Sequence, residues 1–235
     1  MMKACLRVFW TCIVCIFSAS SQAIIMSPTV LEMDTQSGGM AQVVVTNNST
    51  QKVPLETSLR RLIFQPDGGF ISQQIEDGSL LFFPLATVLQ PGQSQVFRLQ
   101  WVGAELTTSE SYFLRFSQPL LASEFASDSN ALTSNLSQQD SGISVQVNYN
   151  ALVHIFSNNQ NAKVSLHVSE DGSVTLKNSG NRYTYTELLH FFNTENRWQT
   201  TLNKALGEHF IPPMSSIVIT PVQPIPAGDY RGIVQ

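Results

Sequence analysis

Beyond residue 15 this 235-residue chain contains no cysteine. Its three cysteines, Cys5, Cys12 and Cys15, are all near the start, so the rest of the chain has neither a disulfide nor a thiolate metal ligand. Charge is also sparse: 13% of residues are Asp, Glu, Lys or Arg, and the formal net charge is −4. The 13 basic residues form no stripe, so nucleic acid is not expected as a partner. The histidines His154, His167, His190 and His209 show no i, i+4 pairing and no His-Glu-x-x-His, which argues against a metal site. No Gly-x-Ser-x-Gly, phosphate loop or dinucleotide fingerprint occurs. The chain therefore reads as a non-enzyme with no cofactor. No apolar run reaches the ~20 residues of a membrane span.

The first residues read as a secretory signal. Lys3 and Arg7 give a positive start, Val8 to Phe17 an apolar core, and Ser21-Gln22-Ala23 a small-residue cleavage site. Removing residues 1–23 takes away two basic residues and every cysteine, leaving an exported chain that must hold together without disulfides. No Leu-x-x run precedes Cys12 or Cys15 at a cleavage end, so a lipoprotein is disfavoured.

From Ile24 onward, short apolar or alternating runs are separated by turn signals. Ile24 to Met33 reads as an edge strand kinked at Pro28, because proline cannot donate to a ladder. Gln42 to Thr46, Val53 to Phe64, Leu80 to Phe83, Gln95 to Trp101 and Tyr112 to Phe116 read as strands, with Pro66-Asp67-Gly68-Gly69 as a hairpin turn. Ser117 to Ser141 is a long polar loop of the kind that is usually functional or disordered. After Phe156 a Ser-Asn-Asn-Gln-Asn stretch reads as a linker to a second strand-rich unit. That unit includes Val164 to Val168, Val174 to Leu176, an unbroken strand from Tyr183 to Phe192, and Ile217 to Ile219. This pattern predicts an all-β protein of two units, 24–157 and 158–235. The second is short beside the ~100 residues of a full immunoglobulin-type sandwich, so a strand fewer is expected there.

The stretch Gly142 to Phe156 stands out. Ile143, Val145, Val147, Tyr149, Ala151, Val153 and Ile155 occupy every second position, with Ser144, Gln146, Asn148 and Asn150 between them. Such alternation puts one apolar stripe on one face of a strand. At ~3.3 Å per residue the strand would run about 40 Å, twice the usual length. Either it serves its own core throughout, or part of it is offered to another chain. Both can hold, with Ala151 to Ile155 packed at home and Ile143, Val145 and Val147 projecting outward.

Three other pieces complete a pattern: Val43-Val-Val-Thr-Asn-Asn-Ser49, Leu89-Gln-Pro-Gly-Gln-Ser-Gln-Val-Phe-Arg98, and Gly172-Ser-Val-Thr-Leu-Lys-Asn-Ser-Gly-Asn-Arg-Tyr183. In this order, with the signal and the stripe, they resemble the PapD-like periplasmic chaperones of pilus (fimbrial) assembly. The resemblance implies two immunoglobulin-like β-sandwich domains at an angle with a cleft between them. It also implies donation of the 142–156 strand to an incomplete pilus subunit, which is later handed to an outer-membrane usher. Free copies could pair through the same strand.

The family uses a pair of cleft basic residues, one on the first strand and one on the donor strand, to bind the subunit's C-terminal carboxylate. Here the sequence departs, because neither Ile24 to Asp34 nor Gly142 to Phe156 contains Arg or Lys. Substitutes are sought in Arg60, Arg61, Arg115 and Lys163. Arg61 shares parity with Leu55, Thr57 and Leu59, so it would face inward and need a carboxylate, or else stand as a solvated strand arginine. Arg98, Glu110 and Asp229 match family positions that bridge the two domains, with exposed unpaired charges as the alternative. His154 lies off the stripe and reads as a packed or surface histidine. The competing functional reading is a structural pilus subunit or adhesin-like immunoglobulin-fold protein; a third is an exported binding module or hydrolase.

Overall fold

The computed structural model describes residues 24–75, 77–119, 146–193, 198–199 and 202–234. The expected signal peptide, most of the polar loop, Ile143 and Val145 lie outside these residues.

The first strand is two strands. Ile24–Ser27 (β1) pairs antiparallel with Met40–Asn47 (β3), whereas Val30–Asp34 (β2) runs parallel to Asn148–Phe156 (β10) in the opposite sheet. Pro28 lies at the crossing, where a residue without an N–H costs no ladder bond. The remaining strands of the first unit are Val53–Phe64 (β4), Phe70–Gln74 (β5), Leu80–Phe83 (β6), Ala86–Leu89 (β7), Ser94–Trp101 (β8) and Glu110–Ser117 (β9). They form one sheet in the order β1-β3-β8-β6 and another in the order β2-β10-β9-β4-β5, with β7 also on β4. The β4–β5 turn follows its sequence signal: Gly68 adopts φ 85°, and Asp67 accepts from the Gly69 amide at 3.0 Å.

Alternation decides which side chains meet between the sheets. Val43, Val45, Phe97 and Leu99 from one sheet pack with Leu55, Leu59, Leu114, Phe116, Val153 and Ile155 from the other, all buried. Phe97 and Phe116 meet edge to face at 4.7 Å.

The second unit contains Val164–Val168 (β11), Val174–Asn178 (β12), Thr184–Tyr185 (β13), Leu189–Asn193 (β14), Trp198–Gln199 (β15), Leu202–Leu206 (α1), Phe210–Ile211 (β16), Ser215–Ile219 (β17) and Gly228–Val234 (β18). Six of these strands make a sheet in the order β15-β14-β18-β11-β12-β17, and β13 pairs with β16 alone. The two layers are thus very unequal. The expected continuous strand from Tyr183 to Phe192 is broken by a 3-10 turn at Thr186–Leu188. At the break Thr186 is tied to the approach of β16: its amide donates to His209 O at 3.0 Å and its hydroxyl to Gly207 O at 2.6 Å. Its second core gathers Leu166, Val174, Leu176, Leu189, Phe191 and Leu206.

Candidate functional site

β10 changes character along its length. From Asn148 to Ile155 it pairs with β9, but only Leu152 to Phe156 also pair with β2. Leu152 N donates to Thr29 O at 2.8 Å, which marks the even-numbered residues as those whose backbone points toward β2. Among the described residues, nothing pairs with Asn148 and Asn150 on that side, so their peptide groups line an open sheet edge. One half of the strand is therefore interior and the other half is edge.

The side chains divide at the same place. Ala151, Val153 and Ile155 are fully buried in the first unit's own core, and Tyr149 is packed against it half-buried. Val147 is 38% exposed. On the other face, Asn150 Oδ1 accepts from Arg115 Nε at 2.9 Å and Asn148 Oδ1 from Ser117 Oγ at 2.6 Å, which holds the open half extended against β9.

The candidate cations have different surroundings. Arg61 is not drawn into the core: its side chain is 39% exposed and ion-pairs with Glu110, whose second oxygen accepts from the Tyr112 hydroxyl. Burial and the Glu110 carboxylate push the Tyr112 hydroxyl pKa well up, so it stays a donor. Arg60 donates to Ser72 Oγ and O at 3.1 and 2.6 Å. Arg115 serves β10 itself. Of the four candidates, Lys163 is the one that lines the cleft between the units. This cleft of about 840 Å³ is bordered by Glu32 on β2 and by Lys163, Arg182, Leu188, Arg231 and Ile233 of the second unit. Arg182 was not singled out by sequence. Its guanidinium carbon lies 3.7 Å from the centroid of the Phe156 ring, and no periodicity could have revealed that contact.

The expected bridge of Arg98, Glu110 and Asp229 does not form. Glu110 is committed to Arg61 within the first unit. Asp229 pairs with His167 at 2.7 Å on the exposed face of the second unit's sheet, and Arg98 is exposed on β8 across from Gln42 and Phe83. The units are joined instead by hydrogen bonds and rings. Asn181 O accepts from Ser109 N at 2.9 Å, Asn181 Nδ2 donates to Thr107 O at 2.9 Å, and Tyr183 N donates to Ser109 Oγ at 3.0 Å. Ser216 N donates to Pro66 O at 2.7 Å, and Tyr183 Oη to Glu32 Oε1 at 2.9 Å.

At the centre of this joint is His154, on the outer face of β10 and fully buried. Its ring stacks on Tyr183 at 4.1 Å and on Phe210 at 5.2 Å. Nδ1 is 2.7 Å from Ser111 Oγ and Nε2 is 2.8 Å from Tyr185 Oη. Burial pushes its pKa down to about 4, so the ring is neutral at neutral pH.

No protein-family model matches the sequence, and no curated protein sequence does either. Solved structures do match. One is a chain of a chaperone–tip adhesin complex of CFA/I fimbriae biogenesis, with TM-score 0.56 and 15% identity over 92% of this chain and 98% of the other. Another is the class 5 fimbriae chaperone CfaA, with TM-score 0.55 and 16% identity over 91% and 98%. A chain of the Salmonella enterica complex of SafA pilin with the SafB chaperone gives TM-score 0.52 and 12% identity over 93% and 99%. The fold is shared with fimbrial chaperones. Like them, this chain pairs two immunoglobulin-like β domains across nearly its whole described length. Among the described residues, no helix is long and apolar enough to cross a membrane.

Proposed function

We propose that this protein is a periplasmic chaperone of pilus assembly that covers unassembled subunits by lending them the apolar stripe from Ile143 to Tyr149, which runs into the β10 strand, and then yields them to an outer-membrane usher. One observation carries the reading: β10 passes from sheet interior to open edge at Ala151, while its apolar alternation continues back to Ile143. A strand with free peptide groups on one side and a continuing apolar stripe can complete a sheet that lacks a strand. It supplies backbone bonds along the edge and a plug of alternate side chains for the groove. Each Val or Ile so buried contributes roughly 1.5–3 kcal/mol before ordering costs. The fold shared with fimbrial chaperones supports the same role, and no nucleotide or metal enters it.

In this reading residues 1–23 direct export and are cut after Ala23, and the two units span 24–157 and 158–235. The carboxylate end of a bound subunit would meet the cleft cations Arg182, Lys163 and Arg231, because Arg61 and Arg60 are engaged within the first unit. Capture in the periplasm is the test. The chain is co-expressed with candidate pilin subunits, and the expected product is a one-to-one complex. Recovery of the folded chain with every subunit left in aggregates would overturn the proposal.

A further inference from the structure

We propose that His154 is a positioning residue that clasps the lent strand to the second unit, and so fixes where the cleft stands beside that strand. The inference rests on the strand-lending reading for its purpose, but not for its geometry. His154 belongs to β10 itself, between Val153 and Ile155, which are sealed in the first unit's core. Any rotation of the second unit about this point is therefore referred directly to the strand.

Three neighbouring strands meet the second unit through residues in register. His154 lies across from Glu32 on β2 and from Ser111 on β9. Glu32 accepts from Tyr183 Oη, and His154 reaches Ser111 on one side and Tyr185 on the other. The stack on Tyr183 and Phe210 sets the tilt of the ring, and the two hydrogen bonds set its rotation. Neutral imidazole has one donor and one acceptor nitrogen, and each hydroxyl can play either part, so both bonds are satisfied in either tautomer. A phenylalanine here would keep the stack but leave the buried Ser111 hydroxyl and the half-buried Tyr185 hydroxyl without their partner. A lysine would bring a charge into an aromatic box. The groups facing the ring are Glu32 from β2, Ser111 from β9, Tyr183 and Tyr185 from β13 and its approach, and Phe210 from β16. Among the described residues, no carboxylate hydrogen-bonds the imidazole. The open half of β10 begins a few residues away, at roughly 3.3 Å per residue, so a small tilt at the clasp becomes a displacement of the cleft relative to the lent edge.

Nitroxide labels at Gln100→Cys and Val218→Cys, both exposed and one on each unit, read the inter-unit distance distribution by pulsed electron resonance. The otherwise unaltered chain should give one narrow distribution. Tyr185→Phe deletes the Nε2 partner without touching β10 or the ring stack, and it should widen the distribution about 1.5-fold. His154→Ala should widen it at least twofold, and His154→Phe should fall between. An unchanged width in Tyr185→Phe overturns the clasp even if His154→Ala broadens, since an emptied ring site would loosen any interface. The readout needs no subunit. A chain that captured none would sink the strand-lending reading while the distances still decided the clasp.

Discussion

Asn47 and Asn178, one in each unit, make the same turn. Asn47 Nδ2 donates to Gln51 O at 2.7 Å and Leu89 O at 3.0 Å, and Asn178 Nδ2 donates to Arg182 O at 2.8 Å and Pro212 O at 3.0 Å. Asn47 Oδ1 accepts from the amide two residues on, Ser49 N at 2.9 Å, as Asn178 Oδ1 does from Gly180 N at 2.9 Å. Each closes the end of a strand whose preceding apolar residues enter a core. Asn178 Oδ1 also accepts from Lys163 N at 3.1 Å, so in the second unit this device fixes the linker where it enters the cleft.

Replacing either asparagine strands several buried backbone groups at once, each worth ~1–3 kcal/mol if left unmade. Asn47→Ala should destabilise the first unit by about 2–4 kcal/mol, and Asn178→Ala the second by as much, seen as a lower urea midpoint at unchanged slope. An effect under about 0.5 kcal/mol would mean that the turns hold without their side chains.

Along the stripe, the same chemical change should have opposite consequences on either side of Ala151. Val147→Asp, and Val145→Asp by the same parity, should abolish subunit capture while circular dichroism and melting stay as before. Ala151→Asp would bury a charge in a sealed core and should unfold the first unit or lower its stability by several kcal/mol. Capture that survives Val147→Asp and Val145→Asp alike removes this strand from the binding surface.

Acid should weaken the fold through His154. Unfolded, its imidazole takes a proton near 6.5; folded, burial delays this to about 4. Between those values the unfolded chain binds the extra proton, so stability falls as pH drops from about 6.5 to about 4, by ~3 kcal/mol in all. The lowered carboxyls of Asp34 and Asp171 act only below their ordinary value of 3.8. His154→Phe should therefore flatten the decline between pH 6.5 and 4, measured by denaturant unfolding at each pH. An equal slope in both proteins would assign the acid sensitivity elsewhere.

The arginines should separate by role. Arg182→Ala, at the cleft, should weaken capture about tenfold with little change in the first unit's stability. Arg61→Ala should leave capture nearly intact and cost about 1 kcal/mol, a modest figure because the Arg61 side chain is 39% exposed in its pair with Glu110. Binding assays and melts on the same two variants distinguish the roles; the reverse pattern would return Arg61 to the anchor.

Much of this was legible in residue order. The period-two runs gave β4, β8, β9 and β10, and Gly68 marked the hairpin. The parity of Arg61 points inward, yet its side chain stays partly exposed beside Glu110, a partner 49 residues away that nothing local names and that the sequence gives to a different bridge. Arg182, Tyr183, Tyr185 and Phe210 carry no repeat that connects them to His154, so the aromatic joint was invisible in the sequence. Charged residues at the Arg98, Glu110 and Asp229 positions suggested a bridge that tertiary structure replaced with rings.

The amino-acid order by itself determined which face of each strand is apolar, because side-chain direction alternates locally along any extended chain. Only the tertiary structure decided how much of β10 is covered. Pairing joins residues far apart in sequence, and the crossing at Pro28 brings β2 alongside Leu152 to Phe156 and no further.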